Sequence, residues 1–252
     1  MIKTNFIEKR VNILQFFYKL IISFFLLFFF SNNAFATVKE RHEYEKTGDV
    51  IWEVKTTEKI VSLTFDDGPH LINTPLLLDV LKDHEVKASF FVAGENVEMY
   101  PEITNRIIKE GHEIGNHTYT HIYNIHMTKE KMLEEIKKTN DILLRTINQK
   151  PTFFRPVGGY HNDVIISSAT EQHHKVILWS WHQDPKDWTN RGSYEIANHV
   201  IKNIHPGDVI LLHDGGGNRL QTIEAVKEII PILKQQGYSF LTLSELTSQF
   251  AY

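Results

Sequence analysis

From about residue 60 to its end, the chain alternates short apolar runs with longer amphipathic segments. The apolar runs are rich in β-branched and aromatic residues, and they predict strands at 60–65, 88–93, 113–114, 152–154, 176–181, 208–213 and 239–243. The segments between them predict helices at 74–83, 100–110, 129–146, 163–171, 194–203 and 220–236. Six or seven such repeats predict an α/β fold with a mostly parallel sheet, either a barrel or an open doubly wound sheet.

Several polar residues follow these predicted strands directly. Asp66 and Asp67 end one strand, Arg155 follows a second, and His213 ends a third, while Asp184 comes shortly after a fourth. In both candidate architectures, ligands bind at the carboxyl ends of the strands. The sequence therefore predicts that these side chains share one site.

The first 36 residues have the pattern of a secretory signal peptide. Four basic residues precede the apolar run 20–30, which Ser23 alone interrupts, and Ala34-Phe35-Ala36 offers the small residues of a cleavage site. An uncleaved membrane anchor over residues 16–30 is the alternative, although a bilayer-spanning helix needs about 20 apolar residues. We expect a secreted or cell-wall-associated protein, with a polar lead-in over 37–58 and one domain over 59–252.

Net charge and cysteine content limit which partners and which kinds of metal site the chain is expected to have. Removing residues 1–36 takes away four basic residues and one acidic residue, so the formal charge moves from −4 to −7. An acidic chain disfavours nucleic acid, because phosphate binding needs a basic face. The chain contains no cysteine, so any metal ion must be held by His, Asp or Glu.

The adjacent carboxylates Asp66 and Asp67 repel each other unless a cation lies between them or one stays protonated. An ordinary Asp-Gly turn after a strand is the simpler interpretation of the same residues. His117 and His121 are four residues apart, which on a helical turn places both imidazoles on one face. With Asp67 as a third ligand they form an open site, and Asp66 stays free to act as a base. Such a ligand set suits one divalent ion, zinc first, with cobalt, nickel, manganese or iron as alternatives.

Five motifs in this order make the chain resemble the polysaccharide deacetylases of the NodB-homology type, carbohydrate esterase family four. They are TFDDGP at 64–69, HTYTH at 117–121, RPVGG at 155–159, DPKDW at 184–188 and LLHD at 211–214. The resemblance covers about residues 59 to 246. It implies a single-domain distorted (β/α) barrel with about seven parallel strands.

The resemblance also implies a role for each matching residue. Asp66 matches the catalytic base, Arg155 the arginine that holds it, His213 the general acid, and Asp184 the carboxylate that pairs with that histidine. The implied metal ligands are Asp67, His117 and His121. Trp188 and Leu211 match residues that line the pocket for the acetyl methyl group.

The third motif departs from the usual Arg-Pro-Pro-Tyr-Gly of this family. Gly158 stands where the tyrosine is usual, so its backbone N–H is expected to stabilise the oxyanion while the groove wall loses an aromatic ring. Tyr160 is the candidate to replace part of that ring. The change bears on substrate preference more than on the reaction.

We therefore expect a metal-dependent hydrolase that removes N-acetyl groups from N-acetylglucosamine units of a cell-wall polysaccharide. Peptidoglycan is the first candidate substrate and chitooligosaccharides are the alternative. The expected partner is the N-acetylated glycan, with a monomeric protein and no obligate protein partner. A metal-independent glycoside hydrolase using Asp66/Asp67 or Asp184/Asp187 is a second class. An inactive sugar-binding homologue is a third.

Overall fold

The computed structural model describes residues 39–123, 127–189 and 191–249. The predicted signal peptide, with the alternative anchor over residues 16–30, lies outside the described residues. Helices α1 to α9 are Arg41–Glu45, Asn73–Asp83, Gly94–Met99, Pro101–Lys109, Lys129–Ile147, Asp163–Glu171, Ser193–Lys202, Leu220–Gln235 and Leu243–Gln249. Strands β1 to β8 are Val50–Ile51, Ile60–Gly68, Ser89–Val92, Glu113–Asn116, Phe153–Phe154, Lys175–Ile177, Val209–His213 and Ser239–Phe240. Two short 3₁₀ helices cover Val157–Gly159 and Trp181–Gln183.

The described strands form one parallel sheet in the order β1-β6-β5-β4-β3-β2-β7, with β8 pairing to β2 outside this path. Strand β2 lies between β3 and β7, and its Asp66 is in register with Phe91 on one side and His213 on the other. Eight of the nine residues of β2 are buried, as expected for a parallel strand covered on both faces. The predicted α/β fold with parallel strands is confirmed.

Backbone hydrogen bonds join the two outer strands of the path and turn the sheet into a distorted barrel. The N–H of Val54, just after β1, donates to the carbonyl of Gly207 at 3.0 Å, and the N–H of Ser180, after β6, donates to Val209 at 3.1 Å. We call this junction between β1, β6 and β7 the seam. The short strands β1 and β5 leave the barrel irregular, because few ladder bonds define them.

The barrel interior is closed at the amino end of its strands by helix α9. Leu243 and Leu246 of this helix are buried in one cluster with Ile60, Val209 and other residues at strand starts. Its first N–H, at Leu243, donates to the hydroxyl of Ser89 at 3.0 Å. Helix α9 therefore fills the barrel interior at this end.

Two predicted strands are shorter than their apolar runs suggested. Strand β6 ends at Ile177 although the prediction continued to residue 181, because the chain turns there into the 3₁₀ helix at Trp181–Gln183. Strand β8 ends at Phe240, since Thr242 accepts and donates hydrogen bonds with Glu245 and starts α9. An apolar run shows that residues are buried, not which element buries them.

Residues before 59, the predicted boundary between lead-in and domain, take part in the sheet. Val50 and Ile51 form β1, which pairs in parallel with β6, and Trp52 is fully buried. The segment lacks a long apolar period, so the sequence pattern did not reveal it. Residues 50–54 are part of the barrel and of its seam. Among the described residues, none of the helices combines the length and apolarity needed to cross a bilayer.

The seam requires glycine at position 207. Gly207 has φ of +84°, and a Cβ there would lie 1.8 Å from the Val54 carbonyl oxygen. Gly48 has a similar φ of +71° but open space around it. We expect Gly48→Ala to lower the free energy of unfolding by about 1 kcal/mol through backbone strain alone. Gly207→Ala should cost about 3 kcal/mol because it adds a clash to that strain.

Urea unfolding of both variants measures the difference. Equal losses of stability would show that the seam is not a tightly packed part of the fold.

Candidate active site

A cleft of about 400 Å³ lies at the carboxyl ends of the strands. It brings together nearly all the residues that the sequence singled out, from five different parts of the chain. The described residues that line it are Asp66, Asp67, His117, His121, Tyr123, Val157, Gly158, Trp179, Asp184, Trp188, Leu211 and His213. Arg155 lies beneath the cleft and is fully buried.

Arg155 fixes the carboxylate of Asp66. Its Nη1 donates to Asp66 Oδ1 at 2.7 Å and to Thr64 Oγ1 at 2.8 Å, and its face lies 4.0 Å from the centre of the Phe91 ring. The guanidinium also donates to the carbonyls of residues 177 and 178, so all of its nitrogens are engaged. With Oδ1 held in this way, Oδ2 of Asp66 faces the imidazoles, 3.8 Å from His117 Nε2.

Asp67, His117 and His121 converge on one point. Asp67 Oδ1 lies 2.7 Å from His121 Nε2 and 3.4 Å from His117 Nε2. The helical turn that the spacing suggested is absent from this described segment, because His117 follows β4 in a loop and His121 has φ of +53°. The loop still places both imidazoles on the same carboxylate, so the grouping is as predicted although the local structure is not.

The tautomer of His117 is set by a buried hydrogen bond. Its Nδ1 lies 2.7 Å from the carbonyl oxygen of Arg155, so Nδ1–H donates and Nε2 carries the lone pair toward Asp67. Metal-ligating histidines usually hold their second ring nitrogen in this manner. The donor set of two imidazoles and one carboxylate fits a divalent ion of the zinc type.

A buried carboxylate, Glu135 of α5, holds the loop that carries the two histidines. Its Oε2 accepts hydrogen bonds from the N–H groups of Tyr119 and Thr120 at 3.0 and 2.8 Å, and from the Thr120 hydroxyl at 3.0 Å. The Thr118 backbone is left-handed at φ of +67°, a strained conformation for a β-branched residue. No pattern in the sequence indicates this role, because Glu135 resembles any polar residue of an amphipathic helix.

Charges in the cleft shift the pKa values of its groups. Burial alone would raise the pKa of Asp67, but the neighbouring imidazoles of His117 and His121 outweigh this effect and hold that pKa well below its usual range. Burial lowers the pKa of His121, while the hydrogen bond to Asp67 raises it and prevails. Asp67 is therefore ionised and ready to bind a cation at neutral pH.

The carboxylate that pairs with His213 is Asp187, and the predicted pairing with Asp184 is wrong. His213 Nδ1 lies 2.7 Å from Asp187 Oδ1, and the His213 N–H donates to Asp187 Oδ2 at 2.9 Å. Thr222 donates to Asp187 Oδ2 at 2.8 Å. Both oxygens of this buried carboxylate are thus occupied in orienting one imidazole, which leaves His213 Nε2 for the cleft.

Asp184 serves a local turn instead. Its Oδ1 accepts the N–H of Lys186 at 3.0 Å, and Lys186 has φ of +55°. This Asx turn carries the chain around so that Asp187 faces β7 while Asp184 stays at the rim of the cleft. Asp184 and Asp187 are three residues apart, and the sequence pattern does not distinguish which of them pairs with His213. The turn between them decides the pairing.

Asp187 changes the acidity of His213. Burial lowers the pKa of the imidazole, but the hydrogen bond and charge of Asp187, together with the charges of Asp67 and Asp66, raise it to about 9. His213 is therefore protonated at neutral pH and positioned as a proton donor. The same burial raises the pKa of the neighbouring Asp214, which bonds to Thr74, to about 7.

Tyr123, which sequence reasoning missed, provides an aromatic wall beside Gly158. A Cβ at Gly158 would lie 2.2 Å from the Tyr123 ring, so the glycine makes room for that ring. The Tyr123 and Tyr160 hydroxyls are 2.7 Å apart, and their rings meet edge to face at 4.7 Å. Tyr160, the predicted replacement for the missing ring, thus supports Tyr123 and is not among the described residues that line the cleft.

Apolar side chains line part of the cleft. Leu211 is buried at the end of β7, and Trp188 is half exposed beside it, as the sequence predicted for both. Trp179 and Val157 complete this surface and were not singled out. Trp179 follows an apolar run, so a search for side chains at the carboxyl ends of strands would have found it.

Comparison with known proteins places the chain among polysaccharide-modifying enzymes. The family model described as polysaccharide deacetylase matches residues 53–177. A peptidoglycan-N-acetylglucosamine deacetylase of Bacillus cereus is 47% identical over 206 residues, which cover 82% of this chain and 96% of that protein.

Two solved structures share this architecture. A peptidoglycan N-acetylglucosamine deacetylase in complex with 4-naphthalen-1-yl-N-oxidanyl-benzamide superposes with a TM-score of 0.78 at 38% identity, covering 81% of this chain and 95% of that one. A family 4 acetyl xylan esterase from Clostridium thermocellum, in complex with a cobalt ion, gives a TM-score of 0.71 at 33% identity, covering 76% and 91%.

The hydrogen bonds of Glu135 lead to a test of the ligand loop. We expect Glu135→Ala to weaken binding of a divalent cation about 10- to 100-fold, because the loop loses the acceptor that fixes His117 and His121. Glu134→Ala is the matched control, since Glu134 is exposed and its carboxylate pairs with Lys131 at 2.9 Å on the surface of the same helix.

Zinc titration of both variants against a chromophoric chelator measures the change. Equal affinity in the two variants would show that the loop holds its geometry without Glu135.

Proposed function

The chain belongs to the polysaccharide deacetylase family, and from this premise we propose that it is a secreted, metal-dependent N-deacetylase of peptidoglycan. It removes the acetyl group from N-acetylglucosamine units of the cell-wall polymer. The observation that carries the proposal is the convergence, in one cleft, of Asp67, His117 and His121 with a positioned base and a positioned acid.

The candidate ligands are the side chains of Asp67, His117 and His121. A divalent cation at this position, zinc in our proposal, supplies Lewis-acid chemistry, which polarises an amide carbonyl and makes a water molecule more acidic. Asp67 stays ionised and His117 keeps a fixed tautomer, so the protein is ready to bind the ion without rearrangement.

Asp66 is the proposed general base. Arg155 occupies its Oδ1, and Oδ2 is free to accept the proton of the attacking water on the side where the ligands converge. The adjacency of the two acids thus has a chemical purpose: one carboxylate binds the cation and the next one removes the proton. The simpler interpretation as an Asp-Gly turn explains neither contact.

His213 is the proposed general acid. A sugar amine leaves poorly as an anion, so it must receive a proton as the C–N bond breaks. Asp187 keeps His213 charged and its Nε2 directed into the cleft, where the leaving nitrogen would lie. The products are acetate and a free amino sugar.

The developing oxyanion and the acetyl methyl group have separate candidate partners among the residues that line the cleft. The Gly158 N–H is the proposed donor to the developing oxyanion. Leu211 and Trp188 form the apolar surface for the methyl group. Tyr123 offers a ring for contact with the sugar face, held by its hydrogen bond to Tyr160.

Peptidoglycan is proposed as the substrate because the Bacillus cereus relative, named for that activity, matches this chain over most of both lengths. Secretion is proposed from the basic leader, the apolar run and the Ala34-Phe35-Ala36 site. The two proposals agree with each other, since the cell wall lies outside the membrane.

Acetate release from peptidoglycan and from N-acetylglucosamine oligomers tests the function. We expect release that stops on chelation, returns with zinc or cobalt, and is faster on peptidoglycan. Asp66→Asn should keep the cation, because the candidate ligands remain, and should lose about 10²- to 10⁴-fold in rate, because the base is lost. Acetate release that survives chelation would overturn the metal dependence, and faster release from the oligomers would favour a chitooligosaccharide substrate.

The pairing of His213 with Asp187 predicts a change in the pH profile. His213 must carry its proton to act as an acid, so activity falls as pH rises through its pKa. Asp187→Asn removes the carboxylate that raises this pKa, so the alkaline limb of kcat/KM should move about 1 to 3 pH units lower. Asp184→Asn is the control and should leave the position of the limb unchanged.

The pH dependence of kcat/KM for both variants distinguishes the two acids. A shift with Asp184→Asn and none with Asp187→Asn would restore the pairing that the sequence suggested.

A further inference from the structure

A second convergence of ligand atoms lies outside the cleft, at the seam. His182 Nε2 lies 2.9 and 3.0 Å from the two carboxylate oxygens of Asp208 and 3.1 Å from His205 Nδ1. We call these three residues the seam cluster. His182 belongs to the second 3₁₀ helix, whereas His205 and Asp208 lie between α7 and β7. Asp208 is buried, and both histidines are exposed to solvent.

The contacts of His182 Nε2 cannot all be ordinary hydrogen bonds. A ring nitrogen carries either one proton or one lone pair, so it can donate to Asp208 or accept from His205, but not both. One shared proton must therefore serve a carboxylate oxygen and two imidazole nitrogens that point at the same place. A metal ion in that place would accept a lone pair from each of the three.

The carboxylate of Asp208 is held in the orientation that such an ion requires. Its Oδ2 accepts the backbone N–H of His205 at 2.8 Å and the side-chain amide of Gln183 at 3.1 Å. These two donors satisfy Oδ2 and leave Oδ1 to the cluster. The His199 side chain lies 3.0 Å from the His182 carbonyl oxygen and braces the 3₁₀ helix. Support of this kind around the ligands is typical of metal sites.

We propose that the seam cluster binds one divalent transition-metal ion, with zinc as the best fit, separately from the candidate active site. Two imidazoles and one carboxylate are a zinc ligand set, and solvent provides the fourth ligand on the exposed side. Tetrahedral zinc with bonds of about 2.0 Å separates its ligands by about 3.3 Å. The cluster needs only a small expansion to reach that spacing.

The two sites are distinct. Asp208 precedes β7 and His213 ends it, so about 16 Å of strand separates them at about 3.3 Å per residue. The chain nevertheless connects them directly, because residues 182–188 run from the seam cluster to Asp187 and Trp188 of the cleft. An ion at the seam would fasten this segment to the base of β7 and restrain the cleft wall.

Zinc stoichiometry tests the proposal without any use of activity. We expect the purified wild-type protein to bind two zinc equivalents and His121→Ala to bind one, at the seam. His121→Ala combined with His205→Gln should bind none. His121→Ala combined with His199→Gln is the matched control and should still bind one, because His199 contacts only a carbonyl within the cluster.

Thermal unfolding gives a second measurement on the same proteins. Zinc should raise the Tm of His121→Ala, and adding His205→Gln should remove that rise, whereas adding His199→Gln should not. His205 is exposed, so its variant should fold, and circular dichroism verifies this. The proposal would be overturned if the His121→Ala protein bound no zinc. It would also be overturned if that protein kept its zinc equivalent after the further change His205→Gln or His182→Gln. Either result leaves the deacetylase proposal unaffected.

Discussion

A fully buried arginine organises the carboxyl end of this barrel. Arg155 follows β5 and donates to the ends of β2 and β6, and its backbone carbonyl accepts the hydrogen bond that orients His117. A guanidinium stays charged when buried, so it needs a carboxylate nearby, and Asp66 provides it. Removing either partner would leave an uncompensated charge in the core. One ion pair therefore couples the fold to the base and to one of the candidate ligands.

The site is assembled from backbone conformations that are uncommon for their residue types. Asp67, Thr118 and His121 all have positive φ, at +73°, +67° and +53°. Such strain persists only where surrounding contacts determine the geometry, and here Glu135 supplies them on the histidine side. On the other side, Gly215 lets two segments of the chain approach each other, since a Cβ there would lie 2.1 Å from the Asp67 carbonyl oxygen. These contacts hold the candidate ligands in position within the protein itself.

The segment between β6 and α7 links the acid side of the cleft to the seam. It carries the histidine of the 3₁₀ helix at one end and Asp187 and Trp188 at the other. Asp187 has both oxygens committed to orienting His213 and bonding Thr222, so it is not available as a nucleophile or an acid. This commitment disfavours the version of the glycoside hydrolase alternative that uses the Asp184/Asp187 pair, because both carboxyl groups would have to face the glycosidic bond.

The sequence by itself determined the parallel α/β architecture and pointed to the candidate ligand set of Asp67, His117 and His121. Strand periodicity and the rule that sites lie at strand ends depend on local pattern alone. Tertiary structure decided that Asp187 and not Asp184 holds His213, that β1 belongs to the barrel, and that Tyr123 fills the space at Gly158. These outcomes depend on which turn brings which side chain across the barrel. A contact between residues distant in the chain leaves no periodic pattern in the sequence, so the sequence alone does not reveal it.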